Sequence, residues 1–123
     1  MDEAKLYALR VKRAYDAPEP SDGLRYLVDR IWPRGIKKEA LQINAWLKDL
    51  APSSVLRIWF NHEPAKWDEF CRLYSAELEC KPEMWQSLLN KLFTSNVTLI
   101  YSARSESYNN AVALRNYLME KMK

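Results

Sequence analysis

The sequence predicts an α/β fold: a small central sheet of about three strands, at least partly parallel, flanked by several helices. Three observations lead there. "RYLVDRIW" and "NVTLIYSA" are each apolar on both faces, the pattern of strands covered by helices on both sides. The stretch between them carries apolar residues at helical spacing. No repeat, low-complexity tract or linker divides the 123 residues, so one compact domain over 1–123 is expected, with 1–5 as a loose end.

Taken in order, "KLYALRVKRAY" is β-branched and aromatic enough for a strand over roughly Leu6 to Arg13. "DAPEPSDG" then marks a loop with two prolines and an Asp-Gly. The second strand places Leu27 and Ile31 on one face and Tyr26, Val28 and Trp32 on the other. Pro33 disfavours helical geometry at Trp32, which predicts the strand's end there. Trp32-Pro33-Arg34-Gly35 fits a type I turn with Pro second and Gly fourth. A short helical turn follows, and "NAWLKDL" reads as another helical segment capped by Asn44. "SSVLRIWF" is a helix capped by Ser53 or Ser54. Pro64 and Pro82 each suit the first position of an amphipathic helix. The last strand leads into a closing helix, for which Ser105 or Ser107 is the expected cap.

Composition excludes several classes of function. Apolar residues make up 48% and charged residues 28%, which is ordinary for a folded soluble protein. No run reaches the roughly 20 apolar residues of a membrane span, and the acidic start is wrong for a secretory signal. A cytoplasmic protein is expected, with Cys71 and Cys80 as reduced thiols. The net charge of +3 is unevenly spread: residues 1–62 hold 11 Lys/Arg against 8 Asp/Glu, and the second half is balanced. An anionic partner docking on one region fits that asymmetry.

The basic stretch is "LVDRIWPRGIKK", which gathers Arg30, Arg34, Lys37 and Lys38 at the carboxyl end of a strand. Ligands of α/β sheets bind at such ends. A second end, "YSARSES", leads into a helix N-terminus, whose unpaired amides and dipole favour anions. If the two loops are neighbours, Arg30, Arg34 and Arg104 would neutralise an anion, Ser102 and Asn109 would hydrogen-bond it, and Trp32 and Tyr101 would shield or stack on it. Arg suits this task through its planar, permanently charged fork. Asp29, flanked by cations and ionised, is the candidate base or water-orienting group. Against these stand structural readings. Asp29 and Arg30 suit a structural ion pair, Lys37 and Lys38 a solvated helix start, and most of the five tryptophans a core. His62, the single histidine, sits in a loop where an exposed imidazole is ordinary. No glycine-rich phosphate loop, metal-ligand cluster or cofactor fingerprint is present, so no cofactor or metal is expected. A small anionic ligand, bound by an enzyme or a non-enzyme, is the leading expectation. Nucleic acid bound by the basic half and an acidic protein segment are the alternatives.

The motifs "KRAYD", "SDGLRYLVDRIWPRGIKK", "WLKDLAPSS", "LRIWF", "WDEFCRLYSAEL" and "VTLIYSAR" resemble the YeaO-like (DUF488) family of small bacterial proteins from about Leu9 to about Leu118. The resemblance implies a compact α/β protein and brings no established activity or cofactor. It also marks two departures. The family commonly has His where this chain has Asn61, and often His where it has Asn110. An amide hydrogen-bonds a ligand but does not shuttle protons at neutral pH, so the departures argue against His-dependent catalysis and leave binding intact.

Overall fold

The structure is a computed structural model that describes residues 6–123; the expected loose end at 1–5 lies outside the described residues. Four strands form one parallel sheet: β1 (Leu9–Arg13), β2 (Leu24–Leu27), β3 (Ala45–Trp46) and β4 (Val97–Tyr101). Their order is β1-β4-β2-β3, so the last strand in sequence lies inside the sheet. The helices are α1 (Lys38–Leu41), α2 (Ser54–Phe60), α3 (Trp67–Glu79), α4 (Pro82–Lys91) and α5 (Asn110–Lys121). None is long and apolar enough to cross a membrane.

Strand alternation divides the core in two. Tyr26, Val28, Val97, Leu99 and Tyr101 belong to the larger cluster, with buried residues of α2, α3, α4 and α5. Leu27 and Ile100 point to the other face and meet Ala14, Leu41 and the half-buried Trp32, Ile36, Ile43 and Trp46. Leu27, Val28, Val97, Leu99, Ile100, Leu114 and Leu118 are wholly buried; each such side chain stabilises the fold by about 1.5–3 kcal/mol. A stack of Phe60 on Phe70, with ring centroids 4.3 Å apart, joins α2 to α3.

Several element boundaries differ from the sequence reading. β1 starts at Leu9 because the amides of Tyr7 and Ala8 bond to Leu92 and to the Asn96 side chain, outside the strand ladder. β2 stops at Leu27, well before Pro33, because β4 runs out opposite it and the Asp29 carboxylate takes the Ser102 amide. Ile31 is therefore exposed, and Trp32 packs on the Leu27 side of the sheet. The turn lies at Arg34–Gly35, one residue further on than the expected Pro33–Arg34, and Gly35 there has φ +80, a left-handed value that favours glycine. "NAWLKDL" is not one helix: Ala45–Trp46 pairs with Tyr26–Leu27 as β3, and Lys48–Leu50 is a single 3-10 turn. Asn44 accepts from the Arg25 amide and caps nothing. Ser53 caps α2. α5 is capped by Asn109, whose side chain accepts from the Val112 amide, while Ser105 closes a turn with Ser107 and Tyr108.

Candidate functional site

β2 and β4 are adjacent and parallel, with Leu27 opposite Ile100, so both end on the same edge of the sheet. The chain leaving β2 goes to α1 on the Leu27 face, and the chain leaving β4 goes to α5 on the opposite face. Where consecutive loops diverge in this way, a crevice opens at the carboxyl ends of the strands. Here that crevice is a cavity of about 670 Å³, within the usual range for small-molecule sites.

Six of the predicted ligand-binding residues line it: Arg30, Trp32, Arg34, Ser102, Arg104 and Asn109, together with Asp29. Tyr101 does not. It is the last residue of β4, points into the larger core cluster and is buried; burial raises its phenol pKa. Its assignment to ligand contact is corrected. Lys37 and Lys38 are also outside this cavity, and both are exposed.

Asp29 ties the site together. One carboxylate oxygen accepts from the Ser102 amide at 2.9 Å and the Ser102 hydroxyl at 2.7 Å. The other accepts from the Asn110 side-chain amide at 3.0 Å, and that same amide donates to the Val28 carbonyl at 2.9 Å. The Asp29 carbonyl receives the Trp46 indole N–H. β2, β3, β4 and α5 are thus pinned at one residue. Arg30 extends the joint to the α2 side, donating to the Pro52 carbonyl at 3.1 Å and the Ala51 carbonyl at 3.3 Å.

β1 supplies a second clasp. Arg13 donates to the Ala103 and Ser102 carbonyls, holding the loop that carries Arg104. Its guanidinium lies 5.0 Å from the Tyr15 ring centroid, and the Tyr15 hydroxyl donates to the Arg34 carbonyl at 2.9 Å. The Trp32 indole donates to the Ile36 carbonyl at 2.8 Å. The turn bearing Arg34 is fixed from both sides.

Sequence reasoning missed Tyr15 and Arg57. Arg57 lines the cavity from α2, and its one available signal was its place as the only charged residue in "SSVLRIWF". Tyr15 follows a strand in a loop and carried none. His62 and Phe60 also line the cavity; His62 has φ 57, directly after the left-handed C-cap Asn61.

Four arginines therefore face this space with a single carboxylate, already bonded three times. Among the described residues none of Arg30, Arg34, Arg57 or Arg104 forms a salt bridge. The arrangement can hold an oxyanion. It is poorly set for proton transfer by Asp29, whose carboxylate is engaged in holding Ser102 and Asn110 in place. Neither cysteine offers a thiolate to the site: both are free but lie outside the cavity lining, and burial pushes the Cys71 thiol up to about 11.

The chain is similar to a set of curated proteins. It is 40% identical to "Uncharacterized protein YeaO" of Escherichia coli (strain K12) over 110 residues, covering 89% of this chain and 96% of the relative. "Uncharacterized protein Rv3073c" of Mycobacterium tuberculosis (strain ATCC 25618 / H37Rv) is also 40% identical, over 111 residues, 89% of this chain and 92% of that one. No solved structure matches. A family model described as "Inactive DUF488-N3 subclade" matches residues 8–123. Nearly the whole length is thereby accounted for, and the chain belongs to the YeaO-like DUF488 family.

Proposed function

We propose that this protein is a binding domain for a small phosphate- or carboxylate-bearing ligand, acting through recognition and not through chemistry. The observation that carries the reading is the convergence of Arg30, Arg34, Arg57 and Arg104, without ion-pair partners among the described residues, on one cavity. Unpaired guanidinium groups gathered from separate segments cost repulsion, which a bound anion relieves. The absence of catalysis is supported by the bonding of Asp29 and by the word "inactive" in the description of the matching subclade. The amides at Asn61 and Asn110, where the family resemblance leads one to look for His, point the same way.

The test is a thermal-shift series with phosphate, sulfate, sugar phosphates, nucleotides and a short oligonucleotide at low and high salt, repeated on Arg34→Ala. A ligand at 100 times its Kd stabilises the folded state by about 2.7 kcal/mol, which is several degrees of Tm for a domain of this size. The expected result is a salt-tolerant shift from a small anion that Arg34→Ala abolishes. A shift confined to the oligonucleotide at low salt would replace this reading with backbone binding of nucleic acid. Silence from every small anion would remove it.

A further inference from the structure

Resting on that reading, we infer that the ligand is an organic anion with an apolar, ring-sized body, its charged head held at the mouth and its body in the cavity. The charges and the apolar groups of the lining are segregated. Arg34, Arg57 and Arg104 are all exposed and come from three segments: the turn after β2, helix α2 and the loop after β4. Phe60 and Phe70 line the same space but are only 5% and 2% exposed, so they form its interior. Trp32, Pro52 and Ala103 continue that apolar wall.

Ile31 gives the second, independent sign. It lines the cavity while 57% exposed, and it follows two residues that are fixed by their own hydrogen bonds. Its side chain is therefore held at an opening where it packs against nothing of its own chain in full. An apolar ligand body would cover it. Inorganic phosphate, or a sugar phosphate whose body is hydroxylated all round, would leave this wall wet and its apolar area unused.

The experiment compares ligands with one head and different bodies by calorimetry on the full chain: phenyl phosphate, ribose 5-phosphate and inorganic phosphate, with benzoate as the carboxylate counterpart. Phenyl phosphate is expected to bind about tenfold or more tightly than either phosphate without an apolar body, the gain that burying part of one ring brings. Ile31→Ser, a change at an exposed position, is expected to remove most of that advantage and leave the affinity for inorganic phosphate as it was. Benzoate binding within a few-fold of phenyl phosphate would assign a head of either type; weak benzoate binding would assign phosphate. Equal affinity for phenyl phosphate and inorganic phosphate, both lost in Arg34→Ala, would overturn the apolar body and leave the anion site standing. Binding by none of the four would overturn both.

Discussion

Asp29 stands at the junction of β2, β3, β4 and α5, and Asp29→Asn separates its structural role from a chemical one. The carboxylate accepts three hydrogen bonds, two from Ser102 and one from Asn110. An amide keeps one acceptor. If its oxygen faces Ser102, its NH2 meets the NH2 of Asn110; if Asn110 then flips, it loses the Val28 carbonyl at 2.9 Å. One bond is lost in either case, worth about 1 kcal/mol. The two Ser102 bonds also lose their ionic character, which roughly halves them, a further ~1 kcal/mol for a half-buried group. The expected cost is about 2 kcal/mol, read as a lower urea midpoint at pH 7 with an unchanged slope. A change within about 0.5 kcal/mol would refute the assignment of Asp29 as the joint. An increase in stability would go further, since strained acids retained for chemistry are the ones whose removal stabilises.

Three further outcomes follow from the geometry. Tyr15→Phe removes the hydroxyl that holds the Arg34 carbonyl; anion affinity should fall several-fold while the unfolding free energy from urea titration changes by less than about 1 kcal/mol, and an unchanged affinity would show that the Arg34 turn holds itself. Asp22 is buried, which alone would raise its pKa, but the Glu19 amide, Lys12 and Arg25 outweigh burial and lower it. Its contribution is therefore present above the unfolded carboxyl value and lost as the pH falls through the lowered folded value. Stability should decline below about pH 4, and Asp22→Asn should flatten that acid limb; an identical acid limb in the variant would rule Asp22 out as its source. Gly23 and Gly35 both have positive φ, but a Cβ at Gly23 would lie 2.2 Å from the Asn96 carbonyl oxygen, whereas at Gly35 it would meet nothing within 4 Å. Gly35→Ala should cost about 1–2 kcal/mol for the backbone alone and Gly23→Ala at least another 1–3 kcal/mol for the overlap, so equal costs would contradict the packing at Asn96.

What the sequence made legible follows from how local each signal is. β4 is readable because it is apolar on both faces, and α4 because Pro82 is its first residue; Pro64 instead opens a 3-10 turn, Pro64–Lys66, and α3 begins after it at Trp67. β3 is not readable, since two residues carry no periodicity and "AWL" serves a helix equally well. The end of β2 is not legible, because a side chain 73 positions from its partner, Asp29 bonded to Ser102, stops the ladder well before Pro33, the nearest local signal. The site divides in the same way. Arg30, Arg34 and Arg104 follow strands and could be found from that position alone. Arg57 and Tyr15 join them only through tertiary packing, which no spacing in the chain encodes.

The strand order has a consequence for how the protein comes into being. β1 and β2 do not pair with each other; β4 lies between them, and its neighbour contacts span the chain, as from Ala8 to Asn96, 88 positions apart. During synthesis at 5–20 residues per second, β1 and β2 wait on the order of ten seconds for the strand that joins them. Through that interval Leu27 and Val28, wholly buried at the end, lack the β4 side of their sheet and have only the two-residue β3 to pair with. Contacts this distant also make folding slow once the chain is complete. The candidate site, built on the edge shared by β2 and β4, is therefore among the last features to form.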